Sequence, residues 1–195
     1  MPQIWLVRHA QSKSQTGEDD DGRNPELSDL GRQQAQRLIE PFKTLELDLI
    51  LLSPLQRAWQ TYQLSQVSAP QIEFDSRLAE SNWGIPDYYQ PILPLQLPDI
   101  AEPDRYHALL TPVEERAVKL IHDLFNHHEE RILLFGHWGI FFYLFQVFVG
   151  ISVGRDSVRA KTDNTGISLF EVDDTGKRVI RFWNDRAHVR DLLER

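Results

Sequence analysis

Two apolar runs in the chain each end on side chains suited to gripping or attacking phosphorus. Ile4-Trp5-Leu6-Val7 runs into Arg8-His9, and Ile132-Leu133-Leu134-Phe135 runs into Gly136-His137. A neutral imidazole is a good nucleophile toward phosphorus, and the phosphoramidate it forms is labile enough to hydrolyse. A guanidinium beside it takes two phosphate oxygens in one planar fork. Arg57, in Ser53-Pro54-Leu55-Gln56-Arg57-Ala58, follows a third apolar run and falls in the first turn of a helix. A cation there opposes the helix dipole, a placement that costs little where an anion is bound. Glu80, in Leu78-Ala79-Glu80, offers the carboxyl group needed to protonate a departing alkoxide, a task that calls for a raised pKa.

For both histidines to share one crevice, the runs that precede them must be parallel strands, because ligands in α/β folds sit beyond the carboxyl ends of such strands. The pattern along the chain fits. Strands are predicted at 3–7, 47–52, 71–74 and 131–135, the first followed by a polar loop over 11–26. Ser28 reads as an N-cap for a helix that keeps Leu30, Gln34, Leu38 and Phe42 on one face and is distorted or ended by Pro41. A second helix starts at Ser53-Pro54, with proline in its first turn, and runs to Leu64. Helices over 113–127, with Val113, Ala117, Leu120, Ile121 and Leu124 inward, and over 139–149 complete the set. Gly166–Val172 and Arg178–Trp183, joined at Asp173-Asp174-Thr175-Gly176, read as a closing hairpin. Alternation of strands and helices gives an α/β class. Residues 84–112 carry Pro86, Pro91, Pro94, Pro98, Pro103 and Pro112, so this stretch is expected to be a small loop-rich lid insert in one domain spanning 1–195.

Composition removes several classes. A net charge of −8 and a pI near 5.3 argue against broad nucleic-acid binding, which needs a basic face. The absence of cysteine excludes disulfides, thiolate catalysis and cysteine zinc sites. The longest apolar stretch, Ile140–Val149, is interrupted by Gln146 and falls short of the ~18 residues of a membrane span. The N-terminal run is too short for a secretory signal, so the expected location is cytoplasmic.

Taken in order, these segments resemble the histidine phosphatase (phosphoglycerate mutase-like) superfamily. Leu6-Val7-Arg8-His9-Ala10-Gln11-Ser12 is similar to its Arg-His-Gly signature, and Pro25–Ala35 to the segment that follows. Ser53–Ala58 resembles its arginine motif, Leu78-Ala79-Glu80 its acid region, Gly136-His137 its second histidine, and Asp163–Ser168 with Asn184–Val189 its closing hairpin. The resemblance implies a three-layer α/β/α sandwich with a mostly parallel central sheet. It implies that His9 becomes phosphohistidine, that Arg8, Arg57 and a charged His137 hold the phosphoryl oxygens, and that Glu80 protonates the leaving group and then activates water. It implies no metal and no organic cofactor. On the substrate side it points to Ser12, to Gln15, which stands where an asparagine contact is common, and to Trp138, which replaces the usual glycine and whose indole is expected to narrow the pocket or stack on substrate. Ala10 likewise stands where the family usually has glycine.

The family contains hydrolases, mutases and inactive members. A mutase needs cationic groups in its lid for a second anion. Between Gly84 and Leu110 the sole Lys or Arg is Arg105, set among Asp87, Asp99, Glu102 and Asp104. The expectation is therefore a phosphatase acting on a small phosphorylated molecule or a phosphoprotein. The alternatives are a phosphoglycerate mutase-type phosphotransferase and an inactive phospho-ligand binder. The presence of all five core residues argues against the binder. The natural substrate and the oligomeric state stay open at this point.

Overall fold

Four of the predicted strands and both strands of the hairpin come together in a single sheet. The computed structural model describes residues 2–18, 24–80, 112–151 and 159–193. The strands are β1 (Gln3–Arg8), β2 (Leu49–Leu52), β3 (Gln71–Phe74), β4 (Arg131–Gly136), β5 (Ile167–Val172) and β6 (Arg178–Asp185), ordered β3-β2-β4-β1-β5-β6. β3, β2, β4 and β1 are mutually parallel, and β5 is antiparallel to both β1 and β6. The helices are α1 (Asp29–Gln36), α2 (Ile39–Phe42), α3 (Gln56–Ser65), α4 (Val113–Asn126), α5 (Trp138–Val149) and α6 (Arg190–Leu193).

The sheet is buried on both faces because its central strands are apolar at every position, not alternately. Ile4, Leu6, Leu49, Leu51, Ile132 and Leu134 pack with α4 and α5. Their neighbours Val7, Ile50, Leu52, Leu133 and Phe135 pack with Leu38, Phe42 and Val67 on the opposite side. This is the three-layer α/β/α sandwich. β1 and β4 lie next to each other, and the chain turns to opposite flanks of the sheet after them. The crevice at their carboxyl ends is thus the topological switch point where ligands bind.

Local chemistry sets the element ends. Ser28 caps α1 by accepting the Gly31 N–H at 3.1 Å. The first helix breaks between Gln36 and Ile39, one turn before Pro41, since proline can neither donate to the Arg37 carbonyl nor avoid its bulk. One boundary differs from the expected one. α3 begins at Gln56, with Leu55 as N-cap, so Pro54 precedes the helix instead of opening it. The Ser53 hydroxyl is engaged by Leu55 N–H and by His137, which holds this stretch in a turn. The predicted lid over 84–112 lies outside the described residues apart from Pro112.

Candidate active site

Register delivers the two histidines. Arg8 and Gly136 are paired across β1 and β4, so the residues that follow leave the sheet side by side. The His9 N–H donates to the Gly136 carbonyl at 2.9 Å. The imidazoles of His9 and His137 stand 5.0 Å apart between ring centroids. Both are buried, at 3% and 0% exposure.

Hydrogen bonding fixes the proton on His9. Nδ1 lies 2.7 Å from the Ala10 carbonyl oxygen, which can only accept, so Nδ1 carries the hydrogen. Nε2 receives the Arg57 Nε–H at 3.3 Å, so it keeps its lone pair. Burial and the charges of Arg57 and Arg8 push the imidazole well below its ordinary value near 6.5. At neutral pH this ring is an uncharged base with a nucleophilic lone pair turned toward a guanidinium.

Arg57 reaches His9 from the first turn of α3, where it is buried. The same helix holds the backbone of the first motif. The Thr61 hydroxyl accepts the Ala10 N–H at 2.9 Å and donates to the Arg57 carbonyl at 2.6 Å. From the closing hairpin, Asn164 donates to the His9 carbonyl at 3.0 Å. Arg8 donates to the Thr162 carbonyl, while its Nε is buried without a hydrogen-bond partner among the described residues. Burial lowers the Arg8 pKa, and the negative charges of Glu80 and Asp163 act against that, which places both carboxylates within electrostatic reach of the guanidinium.

His137 is the N-cap of α5. Its Nε2 lies 2.7 Å from the Ser53 hydroxyl, which also accepts the Leu55 N–H at 3.3 Å. Nδ1 is buried with no partner among the described residues. Burial, then the charges of Arg57, His9, Arg8 and Arg116, hold this imidazole well below its ordinary value. In the free site this buried ring, surrounded by guanidinium groups, is neutral; the expected charged form belongs to the site with phosphate bound. The Ser53 hydroxyl, having taken the Leu55 N–H, can give its hydrogen to Nε2, which leaves the ring proton on Nδ1.

Three residues expected on the substrate side also have partners within the protein. Gln15 pairs its amide with that of Asn164, at 3.1 and 3.2 Å, and accepts the Ser12 N–H at 3.1 Å. Ser12 is buried, with its hydroxyl against Ser14 and Gln15. Both brace the loop that carries His9. Trp138 turns its indole N–H to the Ala160 carbonyl at 3.1 Å and packs its ring near Phe142. Trp183, stacked on Phe170, donates to the next carbonyl, Lys161, at 2.8 Å. Arg8 takes the third, Thr162. The indole of Trp138 thus grips the strap beneath Arg8, because a free N–H beside a bare carbonyl finds it.

Glu80 sits at the end of a short turn, and Arg116 of α4 donates to the Arg77 and Ala79 carbonyls just before it, at 3.2 and 3.0 Å. Ser53, Thr61, Asn164 and Arg116 are the positioning groups that sequence reasoning missed. A signal existed for Arg116, which lies three residues after Val113 and four before Leu120, on the inward face of its helix. Among the described residues no cluster of His, Asp and Glu could hold a metal ion.

Comparison with known proteins agrees with this fold. The sequence profile of the histidine phosphatase superfamily (branch 1) matches residues 4–186. A Hydrogenobacter thermophilus protein, provisionally named phosphoserine phosphatase 2, is 25% identical over 98% of this chain and 100% of its own length. The α-ribazole phosphatase of Shigella flexneri superposes with a TM-score of 0.68 at 20% identity, covering 95% of this chain and 97% of that one. The phosphoserine phosphatase of Entamoeba histolytica, solved with phosphoserine, gives 0.66 at 19% identity, covering 97% and 100%.

Proposed function

The chain belongs to branch 1 of the histidine phosphatase superfamily and is a phosphomonoester hydrolase; from that premise we propose that His9 carries the phosphoryl group between ester and water. The observation that carries this reading is the fixed tautomer of His9, with Nδ1–H spent on Ala10 and the Nε2 lone pair unprotonated against Arg57.

In the first step the Nε2 lone pair attacks phosphorus in line with the leaving oxygen. The N–P bond forms, the P–O bond breaks, and Glu80 as the acid gives its proton to the departing alkoxide. The resulting phosphoimidazolium keeps its Nδ1–H on the Ala10 carbonyl. In the second step the Glu80 carboxylate takes a proton from water, the oxygen attacks phosphorus, the N–P bond breaks and His9 regains its lone pair. Arg57 rests on Nε2 in the free site, so an arriving phosphoryl group displaces it onto the phosphoryl oxygens. Arg8 Nε and His137 Nδ1, both buried without partners among the described residues, supply two more contacts for the equatorial oxygens. Preorganised donors of this kind are each worth about 10²–10³ in rate.

The proposed substrate is a small phosphate monoester, the class named by the phosphoserine and α-ribazole phosphatases. A cytoplasmic setting belongs to the same reading; among the described residues no helix is long and apolar enough to cross a membrane. The test is hydrolysis of an aryl phosphate in the presence of EDTA, with acid-labile label trapped on the protein. Turnover and labelling in the wild type, both absent in His9→Ala, are expected. A wild type no more active than His9→Ala overturns the proposal.

A further inference from the structure

The turn that delivers Glu80 is held from α4 at two points. Asp75 accepts the Arg77 N–H at 2.9 Å and opens the short turn Ser76–Leu78. The Arg77 guanidinium folds back on Asp75 at 2.6 Å and reaches Asp123 of α4 at 2.5 Å. Arg116 lies seven residues before Asp123, two turns along the same helix face. Its NH1 donates to the Arg77 and Ala79 carbonyls, the second belonging to the residue before Glu80. Arg116 is 3% exposed, on a face otherwise built from Val113, Ala117, Leu120 and Leu124. Packing alone would be served better by an apolar side chain there, because burying a guanidinium costs several kcal/mol unless its hydrogen bonds are used.

We propose that Arg116 is a positioning residue for Glu80: by gripping two carbonyls of the turn it sets the direction in which the backbone presents the acid to the leaving group. The inference rests on the reading of Glu80 as that acid. It makes a demand that a merely structural arginine does not. A leaving group that departs as a stable anion needs no proton, whereas a basic one does. Loss of Arg116 must therefore be felt by esters with basic leaving groups and largely spared by the others.

The experiment compares kcat/KM for phenyl phosphate and 2,4-dinitrophenyl phosphate, which share a ring and differ in leaving-group basicity. Arg116→Met is expected to lose about a hundredfold on the phenyl ester and less than about fivefold on the dinitrophenyl ester. Arg116→Lys keeps the charge but not the fork, and is expected to show the same skew to a smaller degree. It also carries the test if Arg116→Met fails to fold. Glu80→Gln defines the skew of a missing acid. If Glu80→Gln is skewed and the Arg116 variants lose both esters equally, the proposal for Arg116 is overturned and Glu80 keeps its role. If Glu80→Gln itself shows no skew, the acid is elsewhere and both readings fall.

Discussion

Binding of a dianion should draw a proton onto His137. In the free site its imidazole is neutral because it is buried and surrounded by guanidinium charge. An anion seated between two rings whose centroids are 5.0 Å apart lies within that distance of His137. At an effective dielectric constant of about 20, each negative charge at ~5 Å favours the imidazolium by roughly 3 kcal/mol, or about two pKa units, and a dianion by about twice that. The shift runs toward the charged form and opposes the depression that burial and the guanidinium groups impose. The Ser53 hydroxyl can follow, because it accepts from a protonated Nε2 as readily as it donates to a bare one. Sulfate is the probe of choice, since unlike phosphate it does not itself titrate near neutrality. Calorimetry at pH 7.5 in buffers of different ionisation enthalpy should show net uptake approaching one proton per sulfate, abolished in His137→Gln. Binding enthalpies that do not depend on the buffer, or uptake that persists in His137→Gln, would refute the reasoning.

Three further outcomes follow from single contacts. Thr61→Val keeps the shape but leaves the Ala10 N–H without its buried acceptor, while the Arg57 carbonyl keeps its place in the helix; a loss of about 1–3 kcal/mol is expected in urea unfolding, together with weaker sulfate binding, and an unchanged midpoint would show that the contact is dispensable. Gly31→Ala places a methyl group 1.9 Å from the Gln11 carbonyl oxygen, so the backbone beside Ser12 must shift; the expected cost of about 1–3 kcal/mol would appear as a melting temperature lower by roughly 3–10 °C. Burial holds the His188 pKa at about 4 against an ordinary 6.5, so the unfolded chain takes up this proton first as the pH falls. His188 therefore contributes stability that is intact above about pH 6.5 and drains away as the pH falls toward 4, and His188→Gln should flatten the pH dependence of the urea midpoint over that window; equal slopes in the two proteins would remove His188 as a source.

The elements and the pairing of the histidines were legible because they rest on local pattern. Central strands apolar at every position, a serine cap and a proline break need no distant partner to be read. The hydrogen-bond partners of Gln15 and Trp138 were not legible for the opposite reason. The partner of Gln15 is Asn164, 149 residues away, and that of Trp138 is the Ala160 carbonyl, a group every residue carries. Side-chain direction at such positions is decided by tertiary contacts. The neutrality of His137 in the free site was not legible, because burial and three converging guanidinium groups are properties of the assembled site. Ser53 and Thr61 were read as parts of a helix motif, yet their hydroxyls are the groups that hold His137 and Ala10.

β1 pairs only with β4 and β5, and the guanidinium at its tip ends on a carbonyl 154 residues downstream. On a ribosome this strand emerges long before its neighbours exist. At roughly 5–20 residues per second, the nascent chain spends several seconds or more with a bare apolar ribbon and an unformed pocket. Under the proposed mechanism the His9 imidazole is therefore not armed until the last third of the chain has been translated, and an unfinished product lacks the pocket that the chemistry needs. The cost is a window in which that ribbon is open to chaperones and to self-association.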